Sequence, residues 1–413
     1  MVYEIETQMI FNRQKYSDLK AWQSRANRKP LLLIGARQIG KTTLLKSFGN
    51  NEYKDMIYIN LERQVDFHEF FKGNKDPKVI LSHLALAHGK SIEPHTSLII
   101  LDVIQACRDA VISLKYFNEE FSQFHIVGAG SLLGISLGND RSFPVGQVEF
   151  LDMYPLYFSE YLAQANHKLF IVYQQYLDFT KIENIPIAFF KQLQTAFKEY
   201  ILIGGMPEVA KNYLENQNIN EAQIIQDDIL RAFELDFVKH ADKTTSTKIQ
   251  QVWDSLPSQL AKENKKFIYK VVKSGARARE YEEAIQWLTQ AGLLYKISRV
   301  EKPGIPLKAY EDVTAFKLFA FETGLLMRLS DLDPTIFLSG NQLFTEFKGS
   351  LAENYVAQTL SQTFGKPPYY WTSDGIAEID FITYYKNNCI PIEVKSGKGL
   401  KAKSLSVYTE KYN

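Results

Sequence analysis

The sequence predicts an α/β chain: a parallel sheet covered by helices in its first third, then a mostly helical stretch, then smaller mixed parts. Three observations predict it. Short apolar runs alternate with helical segments from the start, the rhythm of strand-helix-strand units in a parallel sheet. A glycine-bearing loop, Gly35-Ala36-Arg37-Gln38-Ile39-Gly40-Lys41-Thr42, joins the first apolar run to a helix. Finally, 413 residues exceed the ~250 to 300 at which a single core stops growing, so the chain divides into domains.

The elements follow in order. Pro30 to Ile34 reads as the first strand and a helix starts at Lys41; Met56 to Asn60, Ser97 to Leu101 and Phe124 to Val127 read as further strands. From about Glu160 to Leu260 the pattern is helical, with a break at Gly204-Gly205-Met206-Pro207, where a helix must stop. Lys265 to Lys308 reads as helix, turn at Ser274-Gly275, helix from Arg279 to Ala291, then strands Leu293 to Val300 and Pro306 to Tyr310 joined through Lys302-Pro303-Gly304. That order is the order of a winged helix. From Gly349 come a helix (Leu351 to Phe364) and strands Tyr369 to Trp371, Glu378 to Tyr384 and Cys389 to Glu393. The expected domains are 1–160, 161–260, 261–340 and 341–413.

Composition narrows the function classes. Basic and acidic residues nearly cancel, 48 against 47, so any polyanion site is regional rather than chain-wide. Cys107 and Cys389 lie far apart and offer neither a disulfide framework nor metal-ligand spacing. Met1 to Tyr16 carries Glu4, Glu6, Arg13 and Lys15 and has no apolar signal core; no run reaches the roughly 18 to 20 apolar residues of a membrane span. The expectation is a cytoplasmic protein with no membrane partner.

Gly35 to Thr42 matches G-x-x-x-x-G-K-[ST] between a strand and a helix, which is the order that phosphate binding requires. Gly35 and Gly40 let the amides of Ala36, Arg37, Gln38 and Ile39 wrap phosphates, Lys41 reaches the β and γ oxygens, and Thr42 ligates Mg²⁺. The helix start at Thr42 and Thr43 adds its positive dipole end. The expected ligands are therefore ATP and Mg²⁺. Asp102 closes Ser97-Leu98-Ile99-Ile100-Leu101-Asp102 and is the candidate second holder of the metal. Val103 follows, and its side chain can neither orient nor deprotonate an attacking water; without a base, worth ~10²- to 10⁴-fold, hydrolysis is expected to be slow or absent while binding persists. Glu62 is the alternative base. Ser131 and Asn60 are candidates for sensing the γ-phosphate and the catalytic region, or for closing turns. Arg141 is a candidate arginine finger, or an ordinary surface arginine.

At this point the chain resembles bacterial and archaeal AAA-type ATPases of the P-loop class that pair an N-terminal ATPase domain with a C-terminal domain of unknown function. The resemblance rests on Arg28-Lys29-Pro30 running into the loop, Leu101-Asp102-Val103-Ile104-Gln105, Gly130-Ser131-Leu132-Leu133-Gly134 and Phe143-Pro144-Val145-Gly146. It continues in Gly204-Gly205-Met206-Pro207, Phe316-Lys317-Leu318-Phe319 and Ala377-Glu378-Ile379-Asp380-Phe381 before Ile392-Glu393-Val394-Lys395. It implies ATP binding and assembly into rings or dimers. Val103 departs from the pattern, and similar chains continue past Asn413 with another strand.

Near the C-terminus, Glu353, Asp380 and Glu393-Val394-Lys395 stand in the order Glu, Asp, Glu-x-Lys, which resembles the restriction-endonuclease-like core. Asp380 and Glu393 offer hard oxygens to Mg²⁺, Lys395 positions or activates water, and Glu353 completes the shell; alternation on a strand would put Glu393 and Lys395 on one face. The alternative is a solvated strand face. Lys262, Lys265, Lys266, Lys270, Lys273, Arg277 and Arg279 offer a grip on DNA phosphates, opposed by Glu280, Glu282 and Glu283. Tyr281 and Trp287 fit core spacing. Three functions remain open: an ATP-gated module acting on DNA, an active DNA-processing ATPase and nuclease, and a protein-interaction module with relict sites.

Overall fold

The apolar runs of the first third become five strands: β1 (Leu31–Ile34), β2 (Asp55–Asn60), β3 (Ser97–Asp102), β4 (His125–Gly130) and β5 (Glu149–Asp152). All pair in parallel, in the order β2-β3-β4-β1-β5. This computed structural model describes residues 9–73, 75–136, 143–177, 183–262, 265–339, 345–373, 377–396 and 403–412. The chain divides into two units, Met1–Glu183 and Asn184–Asn413, and each is described by itself.

In the first unit the helices are α1 (Lys15–Ser24), α2 (Lys41–Glu52), α3 (Pro77–His88), α4 (Arg108–Glu120), α5 (Leu133–Ser136), α6 (Phe158–Ala165) and α7 (His167–Gln175). Helices on a parallel sheet bury it on both faces, and β3 is buried from Ser97 through Asp102. Leu32, Ile57, Ile59, Ile99, Leu101 and Ile126 meet Ile80, Leu84, Leu114 and Phe117 in one core. The start of α3 is set locally: Pro77 stands in the first turn and the Asp76 side chain accepts from the Lys78 amide. Two features escaped the sequence reading. β4 runs three residues past Val127 because Gly128-Ala129-Gly130 carries no strand signal; a Cβ on Gly128 would meet Ile104 and Leu32 at 2.7 Å. β5 is four residues long and only half-covered, too short to announce itself by pattern.

The second unit begins with α8 (Ile187–Ile203), α9 (Pro207–Asn216), α10 (Ile219–His240), α11 (Lys243–Leu260), α12 (Tyr269–Val272) and α13 (Ala278–Gln290). After β6 (Leu294–Val300) and β7 (Glu311–Ala320) come α14 (Thr323–Leu329), α15 (Pro334–Ser339) and α16 (Thr345–Phe364). Strands β8 (Tyr369–Thr372), β9 (Glu378–Tyr385) and β10 (Asn388–Ile392) and helix α17 (Lys403–Tyr412) close it. The expected strand Pro306 to Tyr310 is instead a short 3-10 turn, Leu307–Tyr310. The partner of β6 is the later run Glu311–Ala320, whose inner half from Ala315 is buried throughout and so lacks the alternation that marks a strand. The β6–β7 hairpin does not stand alone as a wing. Its strand β6 pairs in parallel with β8 through Arg299↔Tyr370 and Val300↔Trp371, giving one sheet ordered β10-β9-β8-β6-β7 across the boundary expected at residue 340.

The glycine pair between α8 and α9 has a steric cause. Gly204 sits at φ 83°, ψ −176°, a region that side chains exclude, and a Cβ there would meet both Glu322 carboxylate oxygens at 2.7 Å. Glu322 is buried and accepts from the amides of Gly205 (2.9 Å), Gly324 (3.0 Å) and Leu325 (2.7 Å). Burial raises its carboxyl while those amides pull it down. Among the described residues, no helix is long and apolar enough to cross a membrane.

Candidate functional site

The loop between β1 and α2 lies at the carboxyl end of the parallel sheet, the edge where open α/β sheets bind ligands. Gly35 adopts φ 147°, and a Cβ on it would fall 2.2 Å from the Met153 carbonyl oxygen, so glycine alone fits. Gly40 turns the chain into α2 at φ 91°, and no side chain caps the helix. Its first amides are thus left for a ligand with acceptor oxygens. Ile39 is buried and anchors the loop from below. The Lys41 ammonium folds back to donate to the carbonyls of Gly35 (3.0 Å) and Ala36 (2.6 Å). Burial pushes it down to about 8, with Asp102 opposing the shift and Arg37 adding to it.

Thr42 and Asp102, distant in sequence, are brought into contact. The Thr42 hydroxyl donates to Asp102 Oδ2 at 2.8 Å, the Tyr58 hydroxyl donates to the same oxygen at 2.8 Å, and the Val103 amide donates to Oδ1 at 3.0 Å. Mg²⁺ takes oxygen ligands and keeps several waters, and the Thr42 hydroxyl and Asp102 carboxylate, in contact beside the uncapped start of α2, are donors of that kind that would hold a hydrated ion. The residues present fit a magnesium-bound triphosphate.

Two supports were invisible in the sequence. Tyr58, on β2, holds Asp102; burial pushes its hydroxyl up to about 12, and Lys46 lies 3.7 Å over its ring. Arg13, read only as a charge arguing against a signal peptide, is buried under the loop. It donates to the carbonyls of Ile39 (2.8 Å) and Tyr154 (2.6 Å) and to Glu160 (3.0 Å). A pair separated by 147 positions leaves no local signal.

The remaining candidates separate. Asn60 closes a turn, its Oδ1 accepting from the amides of Glu62 (3.1 Å) and Arg63 (2.9 Å), and its side chain also bears on the Tyr58 hydroxyl that holds Asp102. Glu62 is exposed on that turn. Ser131 follows β4 and is half-buried. Arg141 lies outside the described residues. Val103 is half-buried and left-handed at φ 52°, unusual for a β-branched residue. Gln38 (φ 62°) and Leu132 (φ 58°) are left-handed too, so three loops following β1, β3 and β4 hold strained backbone at the same sheet edge. Gln105 places a buried, unpartnered Oε1 in this region, where a Cβ on Gly130 would lie 2.9 Å from it.

In the second unit the Glu, Asp, Glu-x-Lys residues come together. Glu353 projects from α16, Asp380 from β9, and the Val394 amide donates to Asp380 Oδ2 at 2.7 Å. Strand β10 ends at Ile392, so Glu393 and Lys395 stand just beyond it, not on the strand as expected, and they pair with each other. That pairing raises the Lys395 ammonium, with Asp380 and Glu353 contributing. Burial raises the Glu353 carboxyl, and Asp380 adds to the shift. Glu353 Oε2 and Glu393 Oε2 are buried without a hydrogen-bond partner. Among the described residues, however, no three carboxylates, histidines or cysteines are grouped to hold a metal ion, so the Mg²⁺ expected on Asp380 and Glu393 has no ready-made cage in this arrangement.

Lys317, which no motif in the sequence singles out as a charge partner, is buried, paired with Glu378 and 4.9 Å from the Tyr370 ring centroid. Lys265, expected among the DNA-facing cations, faces inward as a largely covered partner of Glu353 at 2.6 Å.

Three family models match the chain: an AAA domain over residues 27–162, and domains of unknown function over 194–335 (DUF8612) and 348–413 (DUF4143). Among solved structures, the chain is similar to a Walker-type ATPase of Pyrococcus abyssi at 14% identity and TM-score 0.46, covering 78% of this chain and 96% of that one. The Thermotoga maritima RuvB Holliday junction branch migration motor gives 16%, 0.31, 69% and 89%. Drosophila ORC bound to DNA gives 13%, 0.32, 73% and 89%. Likenesses of this size add nothing to what the strand order and the loop already establish. Curated proteins give no match. The match over residues 27–162, on a parallel sheet whose first strand feeds this loop, makes that stretch an AAA-type domain of the P-loop ATPase class.

Proposed function

We propose that this chain binds Mg-ATP on the loop from Gly35 to Thr42 and uses it as a ligand more than as a fuel, in a module whose partner is DNA. The observation that supports it most is the Thr42–Asp102 contact beside an uncapped helix start: hydroxyl, carboxylate and free amides face one small volume. Bound Mg²⁺ would supply neutralisation of the phosphate charge. Lys41 would exchange the Gly35 and Ala36 carbonyls for phosphate oxygens. Thr42 and Asp102 would hold the metal and its water, and Tyr58 would keep Asp102 aimed.

Hydrolysis needs a base, and the residue after Asp102 is a valine with no acceptor. Steady-state phosphate release by the native chain and by Val103→Glu tests this. We expect a turnover near background in the native protein and a rise of about 10²-fold or more in the variant. Equal, slow turnover in a variant that still binds Mg-ATP contradicts the missing-base account.

A second reading, metal-dependent cleavage of DNA, is favoured by the two unpartnered carboxylate oxygens beside Lys395. It predicts cleavage of linear or branched DNA with Mg²⁺ that disappears in Asp380→Ala; cleavage that survives the substitution rejects the assigned residues.

A further inference from the structure

We propose that a basic pocket between the first turns of α11 and the turn leading into α13 is the surface on which this chain takes the phosphodiester backbone of a nucleic acid. This rests on the reading that the partner is DNA, and it identifies where the contact is made. The pocket encloses about 630 Å³ and is lined by Lys243, Lys248 and Lys273 together with Thr244, Ser274 and Glu280. No acid pairs with any of the three lysines among the described residues. One carboxylate faces three ammonium groups, and it is already engaged: Glu280 accepts from the Arg277 amide at 2.8 Å.

The placement of these cations opposes the stability of the helices that carry them. Lys243 stands in the first turn of α11, and Arg277 and Arg279 stand at the start of α13, the end where the helix dipole disfavours positive charge. Asp242 caps α11 through the amides of Thr244 (2.8 Å) and Thr245 (3.1 Å), so the attraction for an anion comes from the side chains rather than from open amides. Gathering like charges around one concavity is unfavourable until an anion enters it. Hydroxyls of Thr244 and Ser274 add donors suited to phosphate oxygens.

A polymer fits better than a free phosphate. Lys270, Arg277 and Arg279 flank the Lys273 turn in sequence, are exposed and have no acid partner among the described residues, so positive charge continues past the pocket on this side, up to the exposed Glu282 and Glu283 of α13. Neither Lys243 nor Lys248 belonged to the basic run read from the sequence. They lie about thirty residues from Lys273 along the chain and meet it only through the packing of α11 against α13.

The test uses the full chain and a fluorescently labelled duplex of roughly 20 base pairs, titrated across a salt series. The Lys243→Gln, Lys248→Gln, Lys273→Gln triple variant is expected to bind at least about tenfold more weakly and to flatten the salt slope by about three counterions. Lys54→Gln with Lys90→Gln, exposed lysines of the first unit, should bind as the native chain does. Inorganic tripolyphosphate should compete poorly. Because a triple change can disturb folding, Lys273→Glu alone, on the exposed turn, should also weaken binding with an unaltered melting curve. The proposal is overturned if the native chain binds no duplex, if the triple variant and Lys273→Glu bind as the native chain does, or if tripolyphosphate displaces the duplex at equal phosphate concentration. Lys41→Ala, titrated without ATP, should bind duplex like the native chain, which separates failure of this surface from failure of the nucleotide site.

Discussion

Lys41 shows how burial sets the chemistry of a single residue. Its ammonium is held near 8 in the free protein, well below an ordinary lysine, while phosphate oxygens would hold it charged. Below about pH 8 it is protonated both free and bound, and affinity for ATP should not change with pH. Above that value the free form loses its proton and binding must take one up, so affinity should fall by up to tenfold per pH unit. Lys41→Arg, which does not titrate there, should bind with a flat profile; a slope that survives in the arginine variant would assign the titration elsewhere. Val103 poses a different residue-scale question. A left-handed β-branched residue is disfavoured by ~1–2 kcal/mol, against ~0.5–1 kcal/mol for the extra freedom of an unfolded glycine. Val103→Gly should therefore melt at the native temperature or raise stability by up to about 1.5 kcal/mol, and a loss of stability would show that its side-chain packing outweighs the strain.

At the scale of elements, the connections that matter join segments far apart in the chain. Arg13 ties the segment before α1 to the phosphate loop and to α6. Removing one partner of a buried ion pair strands the other, at about 3–5 kcal/mol, so Arg13→Ala should lower the denaturant midpoint strongly and loosen nucleotide binding; a near-native midpoint would reduce Arg13 to a surface contact. Gly204 joins α8 to Glu322 in the second unit. Gly204→Ala must escape a glycine-only conformation and push aside a buried carboxylate, with an expected loss of about 3 kcal/mol, read by chemical denaturation. What was legible in the sequence follows the same division. Strands β1 to β3, the phosphate loop and the stop at Gly204 carry their signals within a few residues. Strand β7 was misplaced because burial on both faces removes alternation, β5 because it is short, and Tyr58, Arg13 and Lys317 because their partners are remote.

At the scale of the whole molecule, two units carry two separate arrays of charged groups. The first places a lysine, a hydroxyl and a carboxylate around an uncapped helix start. The second gathers Glu353, Asp380, Glu393 and Lys395 at one end of a sheet that runs across stretches which the sequence suggested were distinct. The residue types of both arrays stand in a motif order that the sequence displays, whereas the pairing of Lys265 with Glu353 and of Lys317 with Glu378 joins remote positions and leaves no such trace. The central claim concerns the first array, and calorimetric titration of Mg-ATP into the native chain and into Lys41→Ala tests it most directly. The native chain should bind one equivalent, and the variant should bind at least about 100-fold more weakly, ~2.7 kcal/mol. Equal affinity in the two proteins, or no heat in either, would contradict it.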